Sequence, residues 1–151
     1  MDSTTIDKVL ADLEADWQIN RATKEACDNW MKQFSGNDTY CAVAHLDIDQ
    51  YSFEKMPFTG DDLYYLPPQL LAHCNYPLLY AGVRDFSEQG DFIENFFLVH
   101  AAYLWRILNS SGTAAQRAAF GAIGRQIKSA SGLDESDDDA RALAEAIKQS
   151  T

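Results

Sequence analysis

The chain has 151 residues, of which 46% are hydrophobic and 12% aromatic, which is typical of a single globular domain. Its formal net charge of −11 disfavours binding to nucleic acids and anionic membranes, and it favours basic protein partners. The acidic N-terminus lacks the pattern of a secretory signal, and a histidine and an arginine interrupt the longest apolar stretch, 96–108. Cys27, Cys41 and Cys74 form no disulfide framework. We therefore expect a cytoplasmic protein without a membrane span.

The first third of the chain predicts two helices and one strand. Apolar residues recur at helical spacing over 4–18, where Ser3 or Thr4 supplies a cap, and again over 22–34. Polar and apolar residues then alternate towards the end of 39–49, which indicates a short strand or a small hairpin.

The middle of the chain predicts short helices followed by one long helix. Prolines punctuate residues 59–87, so we expect a series of short helices there, with a break at Pro77. After a turn at 88–90, residues 91–109 are apolar nearly all round, which predicts a central buried helix.

The last third predicts two more helices. Thr113 is placed to cap a helix over 113–129, and a final helix is expected over 137–149. The predicted fold is mainly α: a single domain, residues 1–151, of six to seven helices around the central helix.

Three groups of residues are candidates for metal binding or catalysis. His45, Asp47 and Asp49 would share one face of a strand, where an imidazole and two carboxylates could bind a divalent metal or act as acid and base. The adjacent His73 and Cys74 have no ligand spacing, and His100 falls in the predicted buried helix, as a core residue or facing a cavity. No catalytic or nucleotide-binding motif is present, so the sequence predicts a binding protein without a cofactor rather than an enzyme.

The strongest candidate for a binding surface is residues 47–65, here called the acidic–aromatic segment. It combines acids with aromatic side chains: Asp47, Asp49, Tyr51, Phe53, Glu54, Phe58, Asp61, Asp62, Tyr64 and Tyr65. Aromatic residues anchor protein interfaces, and surrounding acids speed the capture of a basic partner. The alternative is that the aromatics belong to the core and the acids to the solvated face. The candidate partner-binding residues are Asp47, Asp49, Tyr51, Phe53, Glu54, Asp61, Asp62 and Tyr64.

Two stretches of the chain resemble small helical bacterial proteins of unknown function. Residues 57–71, PFTGDDLYYLPPQLL, are similar to their F-T…Y-L-P…L segment, and residues 113–120, TAAQRAAF, to the Q-R-A-A start of their late helix. The chain departs from that pattern with Gly60-Asp61-Asp62, where a Pro-Glu-Ala-type helix start is usual. Similar small acidic proteins include immunity proteins of bacterial toxin systems. The resemblance implies a helical fold and a bacterial or phage source, and it carries no catalytic residue over.

The favoured function is an immunity protein that neutralises a basic toxin by occluding its active or nucleic-acid site. Three alternatives remain: a nucleic-acid mimic that blocks a defence nuclease or a DNA-binding protein, a chaperone for a secreted effector, and a small metal-dependent enzyme that uses His45, Asp47 and Asp49.

Overall fold

The computed structural model describes residues 2–33, 47–56 and 61–150 of the chain, apart from the side chains at positions 31, 33, 61 and 62. Within these residues the chain forms six α-helices and two short 3-10 turns, at Phe53–Lys55 and Asp61–Tyr65. The helices are α1 (Ser3–Asn20), α2 (Lys24–Gln33), α3 (Pro68–Arg84), α4 (Phe86–Ser111), α5 (Ala114–Ser131) and α6 (Asp138–Gln149).

One continuous apolar core joins the helices. Helix α6 packs on α4 and α5, α1 packs on α3 and α5, and α3 contacts α4 and α5. The buried side chains form a single cluster that extends from Leu13 in α1 to Ala146 in α6. The prediction of a compact, mainly α fold is therefore confirmed.

Helix α1 follows its predicted pattern closely. Leu13 and Trp17 are buried, and Ile6, Val9 and Leu10 pack partly against the core. The N-terminal cap is Asp2 rather than Ser3 or Thr4, because its carboxylate accepts the backbone N–H of Thr5 at 2.8 Å.

The prediction of short helices over 59–87 is wrong from residue 68 onward, because α3 continues without a break to Arg84. Pro77 lies inside α3, although a proline there removes one backbone hydrogen bond. Its neighbours Cys74, Leu78 and Leu79 are almost fully buried. Because α3 is buried on nearly all sides, its packing stabilises a continuous helix where the local sequence predicted a helix end.

Helix α4 differs from the central helix predicted over 91–109. It begins earlier, at Phe86, and the expected turn at 88–90 is a kink at Gln89, whose φ and ψ are −125° and 30°. One face, which includes Ile93, Phe97 and Leu104, is buried. Phe92 and Val99 are exposed, so α4 is amphipathic rather than buried all round.

The last two helices begin where the sequence predicts. The Thr113 side chain accepts the N–H of Gln116, whose side chain accepts the N–H of Thr113, forming a capping box for α5. Asp137 caps α6 through the N–H groups of Asp139 and Ala140.

The predicted strand lies largely outside the described residues, which exclude 34–46. Its last part, Asp47 to Asp49, forms a turn in which the N–H of Gln50 donates to the carbonyl of Asp47 at 3.2 Å. Thr59, the first residue of the predicted capping box at 59–62, also lies outside the described residues.

Candidate functional site: the acidic–aromatic segment on helix α4

The acidic–aromatic segment is held at the junction of α3 and α4 by the last arginine of α3. The guanidinium of Arg84 donates from Nη1 to the carbonyl of Asp49 at 3.0 Å, and from Nη2 to the carbonyl of Tyr51 at 2.6 Å. Because one planar group with several N–H donors binds two carbonyls, it fixes the backbone over three consecutive residues.

Asp85 completes this clamp. Its carboxylate accepts Arg84 Nε at 2.7 Å and Arg84 Nη2 at 3.0 Å, and it also accepts the backbone N–H of Phe53 at 2.9 Å. One residue further along, the N–H of Glu54 donates to the side chain of Gln89, at the kink of α4, at 2.9 Å. These bonds use main-chain atoms of the segment, so they leave its acidic side chains available to a partner.

The surroundings of the clamp raise the pKa values of Arg84 and Tyr80. The hydrogen bonds that Arg84 donates to the carboxylate of Asp85 raise the pKa of Arg84, so the guanidinium stays charged. Burial raises the pKa of the nearby Tyr80 phenol, and the negative charges of Glu14 and Asp49 raise that pKa further. Glu14 of α1 and Asp49 of the segment therefore both act on the phenol of Tyr80.

The predicted partner-binding residues divide between surface and core. Asp47, Asp49 and Glu54 are exposed, and Tyr51 is half-buried. Phe53 is only 2% exposed and packs against the rings of Phe96 and Phe97, with centroid distances of 5.4 and 6.0 Å. Phe53 is therefore a core residue that anchors the segment, which corrects its prediction as a contact residue.

Further along, the segment returns to α4 at the turn Asp61–Tyr65. Tyr64 is 43% exposed, and its hydroxyl is hydrogen-bonded to Nδ1 of His100 at 2.8 Å. Its ring lies 4.5 Å from that of Tyr103, and the neighbouring Tyr65 is 76% exposed. Asp61 and Asp62 lie on this turn, and their side chains are outside the described part of the structure.

The candidate groups for metal binding do not converge where the structure describes them. Asp47 and Asp49 lie on an exposed turn, and His45 lies outside the described residues. Among residues 2–33, 47–56 and 61–150, no three His, Cys, Asp or Glu side chains are close enough together to bind one metal ion.

His73 and Cys74 are both buried in α3. Nδ1 of His73 accepts the backbone N–H of Ala22 at 3.4 Å, and burial raises the pKa of the Cys74 thiol. A thiol with a raised pKa is a poor nucleophile near neutral pH.

The sequence analysis missed the exposed side of α4. Phe92 is 56% exposed and Val99 is 61% exposed. Both lie next to the face of α4 that carries Phe96 and His100, against which the acidic–aromatic segment packs. Their helical spacing predicts that Phe92 and Val99 share one face of α4. Their exposure follows only from the packing of the neighbouring elements, because none of the described residues covers that face.

Comparison with known proteins finds no match to a family model, a curated protein or a solved structure. A search of the described helices finds none that is both long enough and apolar enough to cross a bilayer.

Proposed function

We propose that this chain is a protein-binding inhibitor, of the immunity-protein type, that neutralises a basic toxin by covering its active or nucleic-acid site. The observation that carries the proposal is the clamped segment itself. Exposed carboxylates at Asp47, Asp49 and Glu54 are presented by a backbone that Arg84 and Asp85 hold in place.

A segment that is already ordered loses less conformational entropy on binding than a mobile loop does. Its acids, with the overall charge of −11, attract a basic surface over a distance of about 10 Å at moderate salt. Tyr64 and Tyr65 add exposed aromatic area, which supplies binding energy once a partner excludes water. The inhibition needs no chemistry, because occupancy of the partner's site is enough.

The resemblance to small acidic immunity proteins supports the same class of function. Part of that resemblance has a structural explanation, because Thr113 and Gln116 form the capping box of α5. Arg117 then donates to the carbonyls of Leu108 and Gly112 at the end of α4. These residues account for the late-helix motif by folding, so the case for function depends on the acidic–aromatic segment.

The test compares two variants with the same change in charge. Asp49→Lys with Glu54→Lys reverses two exposed acids of the segment, and Asp7→Lys with Glu25→Lys reverses two exposed acids on α1 and α2. Each immobilised variant and the wild type are exposed to lysate of the source organism at low and high salt, and the retained proteins are identified. Each retained basic protein is then purified and its association rate with each variant is measured.

We expect the segment variant to lose at least tenfold in association rate while the control variant retains most of the wild-type rate. We also expect co-expression of the wild type, and not of the segment variant, to relieve the growth defect that the partner causes. Equal loss in both variants would show that only net charge matters, and a partner without toxicity would refute the immunity function.

A further inference from the structure

The connection from α1 to α2 is bonded to α3 through a buried histidine. The backbone N–H of Ala22 donates to Nδ1 of His73 at 3.4 Å, and His73 is only 5% exposed. Because a backbone N–H can only donate, Nδ1 carries no proton, and the hydrogen of the neutral ring lies on Nε2. The bond therefore requires the uncharged form of this imidazole in one tautomer.

This bond lies directly before the first turn of α2. Thr23 caps the helix, since its hydroxyl accepts the backbone N–H of Ala26 at 3.1 Å. Further along, Cys27 is buried and Trp30 packs partly against the core. Helix α2 has less extensive contact with the other described helices than those helices have with one another. A single bond at Ala22 can therefore matter for how firmly α2 is held.

His73 lies at a cleft that offers little to stabilise a charged imidazole. The cleft has a volume of about 390 Å³ and is lined by Asn20 of α1, Trp30 of α2, Tyr76 of α3 and Gln116 of α5, among others. Among the described residues that line it, only His73 can gain a charge near neutral pH. Burial in such surroundings disfavours the protonated ring.

The acid on the α1 side of this cleft is Asp16, which already has hydrogen-bond partners. Its carboxylate accepts the hydroxyl of Tyr76 at 2.8 Å and the hydroxyl of Thr113 at 2.6 Å. The charge of Asp16 would attract a protonated His73. Protonation would, however, place a hydrogen on Nδ1 opposite the N–H of Ala22, and two donors that face each other cannot bond.

The other ionisable groups near His73 give no net preference for its charged form. On α3, burial raises the pKa of the neighbouring Cys74 thiol, so that this thiol is neutral near pH 7. Around the start of α2, the charges balance among the described residues: two cations, Arg21 and Lys24, and two acids, Glu25 and Asp28. The residues that α5 and its cap bring to the cleft, Gln116 and Thr113, are uncharged.

These surroundings link the opening of α2 to pH. When α2 separates from α3, the imidazole of His73 is solvated and takes up its proton as in water, near pH 6.5. Because the open form then binds one more proton than the closed form, a fall in pH favours opening. If the closed form excludes that proton, the equilibrium constant for opening rises about tenfold between pH 7.5 and 5.5.

We infer that His73 is a pH-sensitive switch that holds the start of α2 on α3 near neutral pH and releases it below about pH 6.5. Release moves Trp30 away from the cleft and exposes the buried thiol of Cys27. The inference goes beyond the proposed function and does not depend on it, since His73 and α2 lie outside the acidic–aromatic segment.

The experiment measures amide hydrogen exchange of the full chain at pH 7.5 and 5.5, at constant salt and corrected for the intrinsic pH dependence of exchange. His73→Gln is the test variant, because the side-chain carbonyl of glutamine can accept the N–H of Ala22 and does not titrate. His100→Gln is the matched control, since it removes the equally buried histidine of α4. Circular dichroism verifies that each variant folds.

We expect protection of residues 24–33 to fall about tenfold from pH 7.5 to 5.5 in the wild type and in His100→Gln. Protection of the same residues in His73→Gln should change less than twofold. Helices α5 and α6 should show no comparable loss in any of the three proteins.

Nitrogen-15 NMR of the wild-type His73 ring gives a second readout that does not depend on a variant. We expect an unprotonated Nδ1 and a protonated Nε2 at pH 7.5, and a protonated Nδ1 at that pH would overturn the inference. So would protection of α2 that is unchanged at pH 5.5 in the wild type, or that falls equally in His73→Gln. A uniform loss of protection in all helices would show global acid unfolding in place of local release.

Discussion

Helices α4, α5 and α6 and the acidic–aromatic segment lie side by side, but different interactions hold them. The three helices meet through apolar side chains and, at Gly121 and Gly124, through close approach of α5 to α6. The described parts of the segment, 47–56 and 61–65, form two short 3-10 turns and no α-helix. The segment is held by four buried side chains, Ile48, Phe53, Met56 and Leu63, and by the polar clamp of Arg84 and Asp85. The packed helices provide a rigid base, while a few buried side chains and specific hydrogen bonds position the surface that we propose to be functional.

The largest expected effect separates the two roles of aromatic residues in this region. Phe53→Ala removes a buried ring from a cluster with Phe96 and Phe97, and should lower the free energy of unfolding by about 3–5 kcal/mol. Phe92→Ala changes an exposed ring and should cost about 0.5 kcal/mol or less. Urea denaturation of both variants measures the difference. Similar losses would mean that the ring of Phe92 is buried in the folded protein.

The second effect tests the close packing of helices α5 and α6. A Cβ added at Gly121 would lie 2.9 Å from the backbone oxygen of Ala146, so Gly121→Ala must push α5 and α6 apart. After allowing for the better helix propensity of alanine, we expect a net loss of about 1–2 kcal/mol.

Gly90→Ala is the matched control, because the nearest atoms to its added Cβ belong to the side chain of Phe86 at 3.7 Å or more. That variant should be neutral or more stable by up to about 1 kcal/mol. Thermal melting of both variants measures the difference in stability. A stabilised Gly121→Ala would contradict the close packing of α5 on α6.

Sequence patterns were sufficient for those elements whose signal is local. The apolar spacing of α1, the cap at Thr113 and the start of α6 near Asp137 all follow from residues within one or two helical turns. The continuity of α3 through Pro77 does not, because it depends on burial by other helices. The kink of α4 at Gln89 lies within the turn predicted at 88–90, where a glycine follows directly.

The candidate site was predictable only in part, for the same reason. The composition of residues 47–65 located an acidic and aromatic segment, but it could not tell Phe53, which points into the core, from Tyr65, which is exposed. The clamp joins positions about 35 residues apart, and no local pattern marks Arg84 as a ligand for the backbone at Asp49. The exposure of Phe92 and Val99 was not predictable, because α4 is rich in apolar residues and the side of α4 that stays exposed depends on where the neighbouring elements pack.

The smallest expected effect on the free energy of unfolding is that of replacing Arg84 in the clamp, and it should be confined mainly to the segment. Arg84→Lys keeps the positive charge beside Asp85 but replaces a planar group that binds the carbonyls of Asp49 and Tyr51 together. We expect a loss of about 1 kcal/mol, because a lysine can still donate to one of the two carbonyls and the net contribution of one hydrogen bond is of this order. Arg106→Lys, at an exposed position on α4, is the control and should be neutral.

A protease provides the sharper readout, because the segment contains its own cleavage site. Lys55 is exposed, but the backbone around it is tied down: its N–H donates to the carbonyl of Ser52, and the next residue, Met56, is buried. Trypsin should therefore cut slowly after Lys55 in the wild type and in Arg106→Lys, and several-fold faster in Arg84→Lys, with mass spectrometry identifying the fragment that begins at Met56. Unchanged cleavage in Arg84→Lys would show that the buried side chains of the segment, such as Phe53 and Met56, fix it without the clamp. The preorganisation that we attribute to the clamp would then come from the core, and Arg84 would have no part in presenting the acids.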